Sequence, residues 1–177
     1  MYRIIEVEDL VRVPPNLTRR EIPDAIREVL LQRYKNHYYE KFGYVVDVIE
    51  VNPSSENRVI LGDPNIYYKV RYKLLTFTLE PNEVFLGVVK DVVEYGAYVL
   101  IGPFEGLLHI SQIAKEKFYF NREQKRLESK DKKKYIQPGD KVYVKVSTVS
   151  IKGVVANAKI SLTMRGEGLG AVWWYEK

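Results

Sequence analysis

The chain has 177 residues, of which 46% are hydrophobic, and a formal net charge of +5, which suits one medium domain or two small ones. It contains no cysteine and two histidines, His37 and His109, so disulfides and thiolate metal sites are excluded and a histidine metal site is disfavoured. No apolar stretch approaches the roughly 20 residues of a membrane span, and the first residues do not resemble a secretory signal. We therefore expect a soluble, cytoplasmic protein without cofactor or metal.

The positive charge is confined to the second half of the chain. Residues 1–81 hold 12 basic and 12 acidic side chains, whereas residues 115–134 alone hold 9 basic and 4 acidic ones. Because a local positive excess attracts polyanions, an electroneutral first half offers phosphates little reason to dock. We expect the two halves to have different functions.

The first half begins with a strand and a helix. Alternating apolar residues predict a strand over 2–13, which Pro14-Pro15 ends because proline cannot donate to a β ladder. A helix should follow, since Thr18 and Glu21 have capping-box spacing and the apolar periodicity continues to Tyr38. We expect Gly43 to end this helix.

The rest of the first half predicts strands separated by turns. Valine-rich segments favour strands, and the Asn, Asp, Pro and Gly clusters between them favour turns. In chain order we predict a strand at 44–51, a turn at 52–55, a short strand at 58–61, a turn at 62–65 and a long strand at 66–79. One helix on a small antiparallel sheet is an α+β domain over residues 1–81, and Pro81-Asn82 marks its junction with a second domain over 82–177.

The second half predicts a barrel. Five short strands with a long connection from the third to the fourth indicate a Greek-key barrel of the OB type. The candidates are 84–93, 97–101, 106–110, 141–149 and 159–164. The basic insert at 115–137 is too charged for a core, and we expect it to form a short helix or to be mobile. The apolar tail, 168–175, should pack on its own barrel, on the other domain or on a partner, since exposed it would favour aggregation, and we favour the domain junction or the partner.

One constellation of side chains points to single-stranded nucleic acid. Tyr95 and Tyr98 flank a Gly-Ala pair, and Gly96 permits the turn or bulge that would bring both rings to one side. Strand alternation turns His109 outward, and Lys159 could reach a phosphate near the same face. Aromatic rings stack on bases and cations bind phosphates. The alternatives are that the tyrosines only cover the barrel and that the histidine is structural.

These residues resemble the S1 RNA-binding domain family across 82–165. The matching blocks are Gly87-x-Val89, Tyr95-Gly96-Ala97-Tyr98-Val99, Gly106 to Ile113, Gly139-Asp140-x-Val142-x-Val144-Lys145-Val146 and Ile160-Ser161-Leu162-Thr163. The resemblance implies RNA contacts by the two aromatics, the histidine and a basic residue before the last strand. Our candidate RNA-binding residues are therefore Tyr95, Tyr98, His109 and Lys159, with the further cations Lys90, Lys145 and Arg165.

The whole chain resembles the E′ family of archaeal DNA-directed RNA polymerase subunits. The similarity lies in the opening Met1 to Pro15, the turn Gly62-Asp63 and the ending Thr163-Met164-Arg165 with Leu169-Gly170-x3-Trp174. It implies a truncated RNP-like domain followed by S1, a heterodimer with the F subunit of the polymerase, and a stalk near the RNA exit path.

The same resemblance implies that loops of the first domain contact the polymerase core. The assigned residues are Pro15, Asn16, Leu17, Gly62, Asp63, Pro64 and Asn65, with ordinary turns as the alternative reading. Obligate interfaces bury aromatic area, so we also expect a permanent partner to cover several aromatic side chains. These are Tyr67, Tyr68, Tyr72 and Phe77.

No catalytic constellation stands out. Asp91 with Glu94, and the carboxylates of the first helix, lie among charged neighbours and fit solvated faces better than an acid-base site. The glycine-rich segment 166–170 precedes no evident helix, so it lacks the context of a phosphate loop. We predict a non-catalytic polymerase subunit that binds emerging RNA. The alternatives are a free-standing S1 factor in translation or RNA decay, and a purely architectural subunit.

Overall fold

A computed structural model describes residues 1–176, which divide into two compact units. The first comprises Met1–Thr78 and Gly153–Ala156, and the second comprises Leu79–Lys152 and the residues from Asn157 onward. Segment 153–156 therefore groups with the first unit, although the sequence suggested a simple division near residue 81. Within residues 1–176, no helix combines the length and apolar character that crossing a membrane requires.

The first unit is one helix on a four-stranded antiparallel sheet, as predicted. The sheet order is β1-β4-β3-β2. A 3-10 turn, Pro15–Leu17, follows the first strand. In chain order the elements are β1 (Tyr2–Val13), α1 (Ile22–Tyr34), β2 (Tyr38–Tyr39), β3 (Gly43–Val59) and β4 (Ile66–Phe77).

The core of this unit lies between α1 and one face of the sheet. The helix buries a stripe that includes Ile26 and Leu30, and it packs against alternate residues of the strands such as Val11 and Val70. Each fully buried side chain of this size contributes about 1.5–3 kcal/mol relative to exposure. Arg27 fixes the edge of the helix, because its Nε donates to the Val48 carbonyl at 3.0 Å.

The helix ends earlier than its periodicity predicted. It stops at Tyr34, and Asn36 adopts a left-handed conformation with φ 60°, after which residues 38–39 pair with 43–44 as a short hairpin. The capping-box prediction was also wrong. The Thr18 hydroxyl donates to the Pro15 carbonyl at 2.7 Å, while Glu21 occupies the N-cap without a side-chain bond. Local periodicity cannot reveal a competing strand pairing, which decided this boundary.

The predicted turn at 52–55 is absent, because β3 runs without a break past it. Pro53 lies opposite Val70 and Asn57 opposite Tyr68, so the strand accommodates the extra residues as a bulge. Proline is tolerated there because β2 pairs only with the beginning of β3, which leaves this part of the strand at a sheet edge.

Three of the four aromatic residues that we assigned to a permanent partner belong to the unit itself. Tyr68, Tyr72 and Phe77 are buried at 8% exposure or less. The hydroxyls of Tyr34 and Tyr72 lie 2.8 Å apart, and burial together with this hydrogen bond raises the pKa of Tyr72. The expectation that a partner covers these rings was therefore wrong for these three, since the helix covers Tyr68 and Tyr72 and Phe77 is buried as well.

The second unit contains the predicted five-stranded closed barrel of the OB type. Hydrogen bonding follows β12-β7-β6-β5-β11, and β11 closes the barrel onto β12. Its interior is filled by alternate apolar residues such as Val99, Leu108 and Val144, all fully buried. In chain order the strands of this unit are β5 (Val84–Val93), β6 (Gly96–Ile101), β7 (Phe104–His109), β8 (Phe118–Asn121), β9 (Arg126–Ser129), β10 (Tyr135–Ile136), β11 (Lys141–Ser150), β12 (Lys159–Thr163) and β13 (Gly170–Ala171).

The basic insert is an ordered sheet, contrary to our expectation of a helix or a mobile segment. Strands β8, β9 and β10 pair antiparallel, and Phe118, Leu127 and Ile136 form its buried side. The charges lie on the other side and in the turns. No single segment of the insert contains enough apolar residues to show a recognisable strand pattern. The apolar core of the insert forms only when the three strands pair.

The apolar tail packs on this insert rather than at the domain junction or a partner. The Trp173 ring lies 4.6 Å from that of Tyr135, and the Trp174 ring lies 6.1 Å from that of Phe118. The Trp174 indole N–H donates to the Tyr135 carbonyl at 3.3 Å. The insert supplies the apolar surface that the tail needs, which could not be foreseen while the insert was expected to lack a core.

Candidate nucleic-acid interface

Tyr95 and Tyr98 meet on the outside of the barrel. Tyr98 points outward from β6, because its neighbours Ala97 and Val99 are fully buried. Tyr95 precedes the strand and is 49% exposed. The two hydroxyl oxygens lie 2.6 Å apart and the rings are edge to face with centroids 6.4 Å apart. The pair therefore presents two ring surfaces at an angle to one another, next to solvent.

Gly96 permits this arrangement for a different reason from the one that we predicted. Its backbone is not in a left-handed conformation. A Cβ at this position would lie 2.2 Å from the Leu108 carbonyl oxygen and 3.1 Å from the His109 Cα. The absence of a side chain thus lets β6 approach β7 closely, and the turn before the strand re-aims Tyr95.

His109 joins the tyrosines at the end of β7. It pairs with Gly96 in the sheet register and its side chain is exposed. Its Nδ1 accepts the Ser111 backbone N–H at 3.2 Å and lies 2.7 Å from the Ser111 hydroxyl. The ring proton therefore resides on Nε2 in the neutral form, and this N–H remains able to donate to a phosphate or a ribose hydroxyl. We call the surface formed by Tyr95, Tyr98 and His109 the platform.

The cations next to the tyrosines are neutralised by carboxylates. Lys90 Nζ lies 2.6 Å from Glu105 Oε2, and Lys125 Nζ lies 3.3 Å from Asp91 Oδ1. Hydrogen bonding to Tyr95, with smaller contributions from desolvation and nearby carboxylates, raises the pKa of Tyr98. This hydroxyl stays protonated at neutral pH, so the tyrosine pair offers stacking surfaces and little net positive charge.

The structure separates the remaining candidate cations. Lys159 begins β12, whose Ser161 pairs with Leu107 of β7, so it lies on a strand that borders the platform. Lys145 lies on β11, which pairs with neither β6 nor β7. Arg165 follows β12 and lines a cleft together with Ser111. Because β12 runs parallel to β7, Lys159 is level with Glu105, at the opposite end of β7 from His109. Arg165 is therefore the candidate cation nearest to the histidine end, and Lys145 lies elsewhere on the barrel.

The predicted core-contact residues lie at one end of the first unit. Residues 15–17 directly follow β1, and residues 60–65 connect β3 to β4, whose Ile66 pairs with Val13 of β1. Leu17 and Asn65 are buried at 9% and 5% exposure, so neither side chain is available to a partner, contrary to our expectation. The accessible positions are Pro15, Asn16, Gly62 and Pro64, with Asp63 half-buried.

Sequence reasoning missed the most exposed apolar residues of this end. Val59 and Ile60 are 72% and 52% exposed, and Leu61 is fully exposed. We define these three residues as the apolar tip. The signal was present as an apolar run directly before Gly62-Asp63, but we read it as an ordinary strand.

Asp63 orders the turn that carries the apolar tip. Its Oδ1 accepts the Asn65 backbone N–H at 2.9 Å, and its Oδ2 accepts the Tyr67 hydroxyl at 2.7 Å. Hydrogen bonds from Tyr67 and then from Asn65 lower the pKa of Asp63 to about 2. The turn is therefore tied to an ionised carboxylate at all but strongly acidic pH.

Three of the carboxylates that we considered as catalytic candidates are paired with cations. Glu94 bonds to Arg122, and Glu28 of the helix bonds to Arg20. Asp91 accepts the Val92 backbone N–H at 2.9 Å, which with Lys125 lowers its pKa. These three carboxylates therefore belong to surface ion pairs.

Both halves of the chain match known domain families. Residues 78–165 match the S1 RNA binding domain, and residues 8–64 match the SHS2 domain found in the N terminus of Rpb7p/Rpc25p. The first match covers the barrel with its insert, and the second covers most of the helix and sheet unit.

Similar proteins include subunits of DNA-directed RNA polymerases. DNA-directed RNA polymerase subunit Rpo7 of Saccharolobus shibatae is 32% identical over 174 residues, which cover 98% of this chain and 97% of that protein. DNA-directed RNA polymerase III subunit RPC8 of Bos taurus is 26% identical over 61% of this chain and 53% of its own length. Polyribonucleotide nucleotidyltransferase of Brevibacillus brevis is 31% identical over 80% of this chain but 19% of its own length. The chain therefore belongs to the Rpo7 family of DNA-directed RNA polymerase subunits, which confirms the predicted resemblance to the archaeal E′ family.

Proposed function

We propose that this chain is the non-catalytic stalk subunit of a DNA-directed RNA polymerase, which pairs with the F subunit, anchors to the polymerase core and holds emerging single-stranded RNA. The observation that carries the RNA-binding part is the exposure of Tyr95, Tyr98 and His109 next to one another on the barrel. Membership of the Rpo7 family carries the polymerase part.

The platform suits unpaired bases. Each base stacked on an aromatic ring contributes roughly 1–3 kcal/mol, and every base has a face that can stack. The His109 Nε2–H adds a donor for a phosphate or a 2′-hydroxyl. Because stacking uses a face that every base has, we expect the platform to bind RNA with little sequence preference.

The apolar tip supports anchoring of the first unit to the polymerase core. A hairpin end that exposes Val59, Ile60 and Leu61 together leaves apolar area in water, which association would remove. The hydrogen bonds of Asp63 hold the turn in one conformation before binding, which lowers the entropy lost on association.

The sheet of the first unit supports a second permanent partner, which we assign to the F subunit. Its helix covers one face, where Ile5 and Val45 pack against the core. On the other face Tyr2, Ile4 and Val46 are 52%, 63% and 37% exposed. The same face also carries the ion pair between Lys69 and Glu8, so its apolar residues alternate with charges. Exposed apolar residues of this kind are what an interface with a permanent partner would bury.

Replacing the platform residues tests the RNA-binding part. We expect Tyr95→Ala with Tyr98→Ala to lower affinity for a fluorescent single-stranded RNA by roughly 5- to 150-fold for each lost stack. The matched control is Tyr143→Ala, which removes a 39%-exposed tyrosine from β11, away from the platform. Unchanged affinity in the platform variant would reject the assigned surface, whereas a wild-type chain that does not bind the RNA would favour a purely architectural subunit.

Purification from native cells tests the polymerase part. A stable complex with a small partner and the polymerase core, identified by mass, is the expected result. The partial similarity to polyribonucleotide nucleotidyltransferase keeps a free-standing factor in translation or RNA decay as the alternative. Association with ribosomes or an exoribonuclease instead of polymerase would overturn the proposal.

A further inference from the structure

A cleft with unpaired cations begins directly beside the platform. One cleft of about 410 Å³ is lined by Ile110 and Ser111, by residues 114–118 at the start of the insert, and by Arg165 after β12. Ser111 is the residue whose hydroxyl and backbone N–H contact His109 Nδ1. The platform and this cleft therefore meet at Ser111.

The charges of the cleft differ from those of the platform. Lys115, Lys117 and Arg165 make no ion pair among residues 1–176, and all three are exposed. The single carboxylate in the lining, Glu116, lies 3.4 Å from Lys134 Nζ and is neutralised by it. The cations beside the tyrosines, by contrast, are paired with carboxylates. The positive charge that can attract phosphates therefore lies in the cleft.

The cleft that begins at Ser111 has a larger positive excess than its neighbour. The neighbouring cleft of about 450 Å³ shares Lys115, Glu116 and Arg165 and continues toward the tail, where Lys134 and Glu167 add one cation and one carboxylate. Three cations and two carboxylates therefore line the neighbour, whereas three cations and one carboxylate line the first cleft. Its volume falls in the range of sites that hold small-molecule ligands, so a nucleotide fits in size.

We propose that this basic cleft, formed by Lys115, Lys117 and Arg165, is a second RNA subsite that binds the phosphates of nucleotides continuing from the platform past His109. The proposal rests on the proposed function, because it extends the same bound strand. The two sites would then bind different parts of the RNA: the tyrosines would stack on bases, and the cleft would bind the phosphate backbone. A strand too short to occupy both would lose the electrostatic part of the affinity.

The test compares two triple variants of the full chain that remove equal charge. The cleft variant is Lys115→Ala, Lys117→Ala and Arg165→Ala. The control is Lys130→Ala, Lys132→Ala and Lys133→Ala, which changes exposed lysines of the same insert that line neither cleft. Affinity for oligouridines of about 4 and about 12 nucleotides, lengths within the range of OB-fold sites, is measured by fluorescence anisotropy at several salt concentrations.

We expect the cleft variant to bind the longer oligonucleotide about tenfold more weakly and the shorter one within about twofold of wild type. The slope of log affinity against log salt should fall by about 0.7 for each phosphate contact removed. The control should bind both lengths within about twofold of wild type. Equal losses in the two variants would show a diffuse field and overturn the subsite, as would wild-type affinity in the cleft variant.

Photo-crosslinking separates the subsite from the proposed function. A single 4-thiouridine is placed at each position of a 12-nucleotide RNA in turn. We expect some nucleotides to crosslink to Tyr98. The nucleotides that crosslink to peptides containing Lys115 and Arg165 should all lie on one side of these in the RNA sequence. Crosslinks at Tyr98 alone would overturn the subsite and leave the platform intact. Absence of RNA binding by the wild-type chain, or full affinity in the Tyr95→Ala and Tyr98→Ala variant, would overturn the proposed function itself.

Discussion

Gly96 connects backbone geometry to the proposed RNA-binding platform at the level of a single residue. Because a Cβ would lie 2.2 Å from the Leu108 carbonyl oxygen, no other residue fits without movement of β6 or β7. Those two strands carry Tyr98 and His109, so any such movement changes the platform. The glycine therefore has a packing role and a positioning role at the same time.

Gly96→Ala should destabilise the second unit by roughly 1–3 kcal/mol, since the clash is with backbone and cannot be relieved by a side-chain rotation. Urea unfolding followed by tryptophan fluorescence measures this, because both tryptophans, Trp173 and Trp174, lie in that unit. The control is Gly166→Ala, whose Cβ would meet only the flexible end of Leu169 at 3.0 Å. A wild-type midpoint together with wild-type RNA affinity would contradict the role given to Gly96.

Asp63 makes the order of the apolar tip dependent on acid. Its pKa is lowered from 3.8 to about 2, so its ionised form is favoured in the folded turn. A group with a depressed pKa stabilises the fold fully above its unfolded value and loses that contribution as the pH falls through the folded value. The sensitive window is therefore between about pH 4 and pH 2.

Across this window we expect the protection factors of the backbone amides of residues 62, 63, 65 and 66 to fall more than those of the helix. Asp63→Asn should remove the acid dependence, because the variant has no proton to gain, and Asp24→Asn on the exposed side of the helix should keep it. The measurement is pH-resolved hydrogen exchange detected by mass spectrometry. An identical acid profile in wild type and Asp63→Asn would show that other groups control the turn.

At the scale of elements, the insert and the tail stabilise each other. Trp174 contacts Phe118, donates to the Tyr135 carbonyl, and has the Lys134 ammonium 5.5 Å from its ring centroid. Gly170, at φ 134°, leaves room for the indole, since a Cβ there would lie 2.6 Å from it. A three-stranded sheet of ten residues has too small a core to be stable alone, so the tail supplies the missing apolar cover.

Trp174→Ala should therefore loosen the insert while the barrel persists. Because the ring is half-buried, we expect a loss at or below the lower end of the ~3–5 kcal/mol typical of buried large aromatics. Hydrogen exchange should accelerate in β8 to β10 and remain slow in β6 and β11. Tyr119→Ala, which removes a 53%-exposed ring from the same sheet, is the control and should change little. Uniform acceleration across the barrel would contradict the separation of the two parts.

At the scale of the whole molecule, the two units carry different kinds of surface. The first has almost no net charge, with 12 basic and 11 acidic side chains over residues 1–78, and exposes apolar residues at the tip. The second holds most of the charge excess and the platform. Apolar area favours stable association with a protein, and stacking rings favour binding of single-stranded nucleic acid. This division is the arrangement that a subunit needs if it is fixed to an enzyme and handles its product.

Replacing the apolar tip by Val59→Ser, Ile60→Ser and Leu61→Ser should abolish retention by the polymerase core in a reconstitution pull-down. The change in unfolding free energy should stay within about 0.5 kcal/mol per substitution, because these side chains are already exposed. RNA affinity should be unaffected. The control is Ile22→Ser with Leu31→Ser, which alters exposed apolar side chains of the helix. Retention of the tip variant by the core would place the anchor elsewhere.

The barrel and most of its candidate site could be predicted because their signals are local. Alternation marked the first strand from Tyr2 to Val13 and all five barrel strands within a few residues, and it also indicated the outward direction of His109. The alternation of apolar and polar side chains and the positions of glycines can be read from short segments of the sequence.

Other features depended on contacts between distant segments. Each of these features requires a partner 15 or more residues away or a strand pairing that no local pattern specifies. They are the end of the helix at Tyr34, the burial of Tyr72, the ordered insert and the neutralisation of Lys90 by Glu105. The amino-acid composition and the alternation of apolar and polar residues determined which side chains could stack on a base, form an ion pair or give a surface its charge. Tertiary structure alone decided which of them remain accessible, because burial and ion pairing are properties of neighbours brought together by folding.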